Sequence, residues 1–302
     1  MNTATPPTTD ALKSSVVGRP FRAIRSTSFS HPTRALGPAG RAEATPPSSF
    51  RTPHSAAPSA LRHLAAIVLV ALPPLAVLLL FPPLSQNPAY HAFADQRAWL
   101  GLPHTLDVLT NLPFLLAGLF GLSEILRRSA GPMRAAWVVF FAGVSLVAFG
   151  SGWYHLAPDN ASLVWDRLPM TVAFTALFAA VLGETVSTDL GRRVLLPALL
   201  CGVASVFWWQ RHDDLRPYFA VQALALAGVP ALLALFPKSG DGRNWLVAGL
   251  GCYGLAFAAE QSDVAFFAFD GGLVSGHSLK HLFAALACAA VAVMLRHRRT
   301  AS

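Results

Sequence analysis

Apolar residues occur along this chain in long, nearly unbroken runs, and eight of these runs have the length of a membrane span. A helix needs about 20 such residues to cross a hydrocarbon core roughly 30 Å thick. Their apolar character is continuous, which predicts helices rather than the short alternating strands of a membrane barrel. The runs lie at residues 63–82, 105–126, 134–155, 165–184, 193–210, 218–236, 245–261 and 276–295.

The segment before the first run has a different composition. Residues 1–60 are rich in Pro, Ser, Thr, Ala and Arg and show no apolar periodicity. Such a segment cannot bury a core, so we predict a disordered basic tail. The chain is therefore divided into this tail, an eight-helix transmembrane domain at 61–296 and a short basic tail at 297–302.

Composition supports the same class of protein. Of the 302 residues, 54% are hydrophobic and 13% are charged, whereas soluble domains carry about 25% charged residues. We therefore predict an all-α, polytopic membrane protein. The formal net charge of +8 lies mostly at the ends of the apolar runs and in the N-terminal tail. That distribution is typical of membrane orientation, so no nucleic-acid partner is expected.

The placement of Lys and Arg predicts which way the chain crosses the membrane. With the N-terminus inside, the inner segments carry 18 of these residues and the outer segments carry 3. Cytoplasmic loops are enriched in Lys and Arg, so this bias predicts that both termini are cytoplasmic and that the number of spans is even.

Four ionisable residues stand at the ends of three predicted spans. His155 ends the third span, Asp166 opens the fourth, and His277 and His281 open the eighth. In the predicted topology all four lie near the outer face. An ionisable side chain at membrane depth costs a few kcal/mol or more and indicates a functional site by default. We therefore group the four as one candidate site.

The three histidines are candidate metal ligands. His277 and His281 are four residues apart, which places both rings on one helix face at a spacing that chelates zinc. His155 at the same level completes a three-histidine set. Histidines that only pack helices together, or that form a proton relay, are the alternatives.

Ser151 and Asp166 are the candidate catalytic residues. Ser151 lies one turn before His155, and its hydroxyl can donate to a developing oxyanion; alternatively, it bonds a carbonyl of its own helix. Asp166 can act as a general base or orient a ligand histidine. Its alternative role is a charge that favours the helix dipole and pairs with Arg167.

Four further polar residues have simpler interpretations. Asp107 and Asn111, one turn apart on the second span, predict an interhelical hydrogen-bond network. Asp263 is a candidate partner for a ligand histidine. Lys280 either points away from the histidines or lies at the entrance of the site.

These motifs resemble a known superfamily. S-G-W-Y-H at 151–155, the acid Asp166 eleven residues later and G-H-S-L-K-H at 276–281 are similar to the signature of the CREST membrane hydrolases, which include alkaline ceramidases and adiponectin-type receptors. The resemblance covers about residues 90–296. It implies a seven-helix core formed by spans two to eight, preceded by one additional N-terminal transmembrane helix.

The resemblance also implies roles for individual residues. By analogy with the superfamily, His155, His277 and His281 hold Zn²⁺, and Ser151 and Asp166 flank the reacting water. The implied substrate is a membrane lipid that is cleaved at an amide bond.

The segment 93–119 is most similar to the alkaline ceramidase branch and its bacterial relatives, which implies a bacterial inner-membrane protein. Eukaryotic members carry a calcium-binding acidic cluster before the first core helix. Here residues 85–104 contain one acid, Asp95, and His104 stands where a glutamate is expected. Calcium takes six to eight oxygen ligands, so no calcium site is expected, and the headgroup of the substrate is left open.

A second class of function stays open from the sequence. The same residues would suit a receptor- or transporter-like protein with a structural zinc site or a proton relay. A structural zinc site closes with a fourth protein ligand. Ser151 and Asp166 beside three histidines favour the enzyme instead. The sequence indicates no protein partner.

Overall fold

The computed structural model describes residues 57–127, 131–237 and 242–297. Residues 1–56 and 298–302 of the predicted tails lie outside this part of the chain. The described residues form ten α-helices and no β-strand. The helices are α1 (Ala57–Leu80), α2 (Thr105–Leu109), α3 (Leu112–Arg127), α4 (Arg134–Leu156), α5 (Asn160–Thr185), α6 (Thr188–His212), α7 (Arg216–Leu235), α8 (Arg243–Gln261), α9 (Asp263–Phe269) and α10 (Gly276–His297).

Seven helical stretches among the described residues are long and apolar enough to cross a membrane. They are α1, the α2–α3 pair, α4, α5, α6, α7 and α10. The predicted span at 245–261 corresponds to α8, which is less apolar because polar residues occur at both of its ends and which packs along α10. The all-α, multi-pass fold is therefore confirmed, with α1 added before the core and packed against α7.

The second predicted span is not one continuous helix. It consists of α2 and α3, which are separated at Thr110 and Asn111. Pro113 lacks an N–H group and cannot bond the carbonyl of Leu109, so the helical ladder is interrupted at this point. The interruption turns the Thr110 hydroxyl toward α10, where it meets a histidine.

The fourth predicted span begins earlier than its apolar run. The Asp159 carboxylate accepts the N–H of Ser162 at 2.6 Å and caps α5, which begins at Asn160. Hydrogen bonds from Ser162 hold the pKa of the Asp159 carboxyl below its ordinary value. Asp166 therefore does not open its helix, as the sequence predicts, but lies almost two turns inside it.

Helices α4 and α5 approach each other closely beside the candidate site. Pro169 has no N–H, so the carbonyl of Trp165, four residues earlier, has no partner in the α5 ladder. Gly150 of α4 packs directly against this carbonyl, and a Cβ atom at Gly150 would overlap it. The side chain of the next residue, Ser151, is thereby fixed at the level of Asp166.

This contact predicts different outcomes for two neighbouring glycines. Gly150→Ala should lower the thermal unfolding midpoint in detergent, because overpacking a close contact costs about 1–3 kcal/mol. It should also lower turnover by shifting Ser151 away from Asp166. Gly152→Ala is the matched control, because a Cβ there meets no atom within 4 Å. Equal unfolding midpoints for the two variants would contradict this account of the interface.

Candidate active site

Three histidines from two helices converge in one buried cluster. His155 lies in the last turn of α4, and His277 and His281 lie in the first two turns of α10. Their exposed fractions are only 1%, 5% and 3%. The Nε2 atoms of His155 and His277 are 3.2 Å apart, and one ring nitrogen from each of the three residues lies within 4.8 Å of the others.

The distance between two of these ring nitrogens fits a tetrahedral metal. Zinc bonds imidazole nitrogen at about 2.0–2.1 Å, so two ligands at the tetrahedral angle stand about 3.3 Å apart. The separation of 3.2 Å between His155 and His277 agrees with that requirement. Three neutral imidazoles in an apolar surrounding are also the donor set of a catalytic zinc site, which leaves one position open.

Two of the three histidines are held by hydrogen bonds from neighbouring segments. His281 shares a hydrogen bond of 2.9 Å between its Nδ1 atom and the Thr110 hydroxyl. The backbone N–H of His277 donates to the Asp263 carboxylate at 2.8 Å. Asp263 therefore fixes the start of α10 and does not bond a histidine ring. His155 Nδ1 is buried and finds no hydrogen-bond partner among the described residues.

Ser151 and Asp166 lie on the wall of the cavity that the histidines also line. Both side chains are buried. The short connection between α4 and α5 explains their common position, because two antiparallel helices joined near residue 158 bring residues 151 and 166 to the same level. The structure thus brings together all five residues that the sequence singles out.

An apolar cavity leads inward from this cluster. Along α10 its wall is formed by His281, Ala284, Cys288 and Val291 at successive turns. Ten residues of helix correspond to about 15 Å, which is the length of a long acyl chain segment. Apolar side chains from other helices complete the wall, among them Leu177, Leu226, Val229, Leu246 and Leu250.

A buried polar network ties α2 to α10 behind the histidines. The Asp107 carboxylate is fully buried and accepts hydrogen bonds from Ser275 at 3.2 Å and Ser278 at 2.7 Å. Asn111 donates to the Asp107 carbonyl at 2.7 Å. The predicted interhelical hydrogen bonds are therefore made by Asp107, whereas Asn111 bonds a carbonyl four residues earlier in its own segment.

The segment before α2, residues 85–104, covers the histidines. The ring of Phe93 lies 4.7 Å from the ring of His155 and 4.4 Å from that of His277, between centroids. The next residue, Ala94, donates its N–H to Asp263 at 2.9 Å. The Asp263 carboxylate thus fixes both the backbone beside Phe93 and the start of α10. Sequence reasoning missed Phe93, because a single aromatic residue in a connecting segment carries no periodic signal.

Asp95, the one acid of that segment, is engaged by an arginine. Its carboxylate accepts bonds of 2.8 and 2.7 Å from Arg97, which also donates to the Leu273 carbonyl before α10. Burial favours a higher pKa for the Asp95 carboxyl, but the hydrogen bonds from Arg97 outweigh it and hold the pKa below its ordinary value. The ion pair is therefore formed at neutral pH and is lost only as the pH falls through that lowered pKa.

Comparison with known proteins finds one family. The family model described as Ceramidase matches residues 104–237 of this chain. This part of the chain is similar to ceramidases, which supports a hydrolase that acts on an amide bond of a lipid. No curated protein and no solved structure matches the chain.

The ceramidase match covers one side of the candidate site. It includes Ser151, His155 and Asp166, whereas His277 and His281 lie beyond its end at residue 237. The two α10 histidines join the site through the fold, which packs the start of α10 against α2 and sets its rings beside that of His155.

Proposed function

We propose that this ceramidase-like protein is a zinc-dependent hydrolase that cleaves the amide bond of a membrane lipid. The observation that supports this most strongly is the convergence of three buried imidazoles with Ser151 and Asp166 at the head of an apolar cavity. The apolar wall of the cavity matches an acyl chain. The five polar residues lie where the amide bond at the end of that chain would be.

His155, His277 and His281 would hold the metal. When bound, Zn²⁺ supplies Lewis acidity that polarises a carbonyl and lowers the pKa of water. The Thr110 hydroxyl and the apolar ring of Phe93 keep the rings in place and limit the access of bulk water. Thr110 at the end of α2 and Phe93 in the segment before α2 would thus orient the ligand rings.

Asp166 and Ser151 would carry out the proton and charge transfers. Asp166 takes a proton from the attacking water and delivers it to the leaving nitrogen, so the products are a carboxylic acid and an amine. Ser151 donates its hydroxyl proton as a hydrogen bond to the carbonyl oxygen as negative charge develops there. Both side chains lie on the wall of the same cavity, so both groups are in place before the substrate binds.

The orientation of the chain is a further part of this proposal. The 18-to-3 distribution of Lys and Arg supports cytoplasmic termini and a site near the outer face of a bacterial inner membrane. A reporter fused after Ser302 tests this arrangement, and activity of that reporter on the outer side would contradict it.

Lipid analysis of cells with and without the gene tests the proposed reaction. Deletion should cause an amide lipid to accumulate, and its fatty acid and amine products should fall. Expression of the Asp166→Asn variant should leave the accumulation in place, whereas the unchanged protein should reverse it. Unchanged amide lipids in the deletion strain would favour the receptor- or transporter-like alternative.

A further inference from the structure

Arg167 is a buried cation that the proposed reaction does not use. Its side chain on α5 is only 4% exposed, and none of the ion pairs formed within the described residues includes it. The pairing of Arg167 with Asp166, one alternative from the sequence, is not formed. A charge that is buried without an opposite charge is costly, and within a membrane span it indicates a function.

Three aromatic rings lie around this guanidinium. Its central carbon is 4.1 Å from the ring centroid of Trp209 on α6 and 4.7 Å from that of Tyr218 on α7. The ring centroid of Tyr90, in the segment before α2, is 5.8 Å away. Aromatic faces attract cations within about 6 Å, and a flat guanidinium stacks on them better than an ammonium does. Arg167 thus links three helices with the segment before α2.

One hydrogen bond ties Arg167 directly to that segment. Its Nη2 atom donates to the side-chain oxygen of Gln86 at 2.7 Å, whereas its Nη1 atom is buried and bonds no other group in the part of the chain that the structure describes. Gln86 is itself buried, and its backbone N–H donates to the Asp213 carboxylate at 2.9 Å. The start of the segment is therefore fixed against α5 and against the turn between α6 and α7.

A short hydrogen-bonded turn connects Gln86 with the cover of the histidines. The turn is a 3-10 helix, Pro88–His91, and Asn87 caps its start. The N–H of Phe93 donates to the carbonyl of His91, the last residue of the turn, at 3.2 Å. A shift at Gln86 is therefore carried along the turn to the ring of Phe93, which lies over two of the histidines.

We propose that Arg167 is a positioning residue that acts on the candidate active site through the segment before α2. It holds Gln86 and Tyr90 in place, and the turn between them and Phe93 keeps that ring over the histidines. The cover limits the access of bulk water to the site. This inference rests on the proposed function for what the cover protects, but the position of the segment can be measured without substrate or metal.

The second half of the segment is fixed independently of Arg167. Ala94 donates its N–H to Asp263, and Arg97 donates to the carbonyl of Leu273. Loss of Arg167 should therefore free the residues before Ala94 and leave those after it in place. General destabilisation of the fold would not produce this pattern.

Hydrogen exchange of the full-length protein in detergent, measured by mass spectrometry, tests for this pattern. Arg167→Met removes the charge and keeps a side chain of similar length. Peptides that cover residues 86–93 should exchange about tenfold faster, because one hydrogen bond to a charged group is lost. Peptides of α3 and α8 should exchange as they do in the unaltered protein.

A second variant removes the same hydrogen bond from the other side. Gln86→Met leaves the charge of Arg167 in place and should accelerate exchange in the same peptides, so it gives an answer even if Arg167→Met does not fold. Arg192→Met is the matched control. Arg192 on α6 donates to the carbonyl of Pro132, at the opposite end of α4 from the histidines, so this change should leave exchange at residues 86–93 unaltered.

The rate of zinc release tests whether the segment acts on the site. Zinc-loaded protein is mixed with an excess of a water-soluble chelator. Arg167→Met and Gln86→Met should release zinc about tenfold faster than the unaltered protein and Arg192→Met, because the covered state is less populated. The proposal would be overturned by faster exchange with an unchanged rate of zinc release, by unchanged exchange in Gln86→Met, or by acceleration that is equal in all helices.

The two measurements separate this inference from the proposed function. If the purified protein binds no zinc, the proposed function is wrong, and acceleration confined to residues 86–93 still supports Arg167 as the residue that holds the cover. If zinc is bound and amide lipids are hydrolysed but exchange at residues 86–93 is the same in all variants, the proposed function stands and the role of Arg167 is wrong.

Discussion

Changing His277 or His281 to alanine should remove zinc from the purified protein and abolish hydrolysis of long-chain amide lipids. Each substitution takes one of three ligands from a site with an open fourth position, and two imidazoles are too few to hold a catalytic zinc. We expect about one zinc per chain in the unaltered protein, less than a tenth of that in either variant, and a loss of turnover of at least about 10³-fold.

The same helix offers a control for the loss of a histidine. His297 lies in the last turn of α10, where its ring stacks on Trp245 and its Nδ1 atom bonds the Val293 carbonyl. His297→Ala should keep both zinc and turnover. If His277→Ala and His281→Ala retained zinc at the level of His297→Ala, the ligand assignment would be wrong. The measurement is metal content by mass spectrometry beside turnover of the same sample.

Asp166→Asn should lower kcat sharply while zinc stays bound. Asp166 lines the cavity on α5, whereas the three histidines proposed as ligands belong to α4 and α10. Loss of a general base typically costs about 10²–10⁴-fold in rate. Ser151→Ala should cost about 10²–10³-fold, as the loss of one oxyanion donor does. KM should change much less than kcat in both variants.

A serine on the same helix is the matched control for Ser151. Ser145 is buried on α4 and donates to the Phe141 carbonyl, away from the cavity wall. Ser145→Ala should turn over substrate at the rate of the unaltered protein. Turnover of Ser151→Ala and Asp166→Asn at that same rate, with full zinc, would leave a metal-binding protein and no support for this mechanism.

Much of the site could be predicted from the sequence, because the ends of the spans and the spacing of residues along a helix determine which side chains lie at the same level. His277 and His281 share a helix face by their four-residue spacing, and alternation of the spans places His155 at the same level. Apolar runs also locate the long helices, although α8, predicted as a span, is not among the seven described stretches apolar enough to cross a membrane. These features depend on helical geometry and on bilayer thickness, which are the same in every membrane protein.

Other parts depend on packing and could not be predicted from the sequence. The depth of Asp166 was misjudged because the helix start is set by the Asp159 cap and not by the apolar run. The pairing of Lys280 with Glu260 depends on how α8 and α10 are rotated against each other. Phe93 covers the histidines because Asp263 holds the following backbone N–H, a contact across 169 residues.

The most direct test of the central claim is zinc-dependent release of fatty acid by the purified full-length protein. The N-palmitoyl amide of 2-aminopropane-1,3-diol is incubated with protein as isolated, after chelation, and after one equivalent of Zn²⁺ is returned. We expect palmitate release by the first sample, its loss on chelation and its recovery with zinc, with no recovery in His277→Ala. Release that persists unchanged after complete removal of the metal would contradict the account.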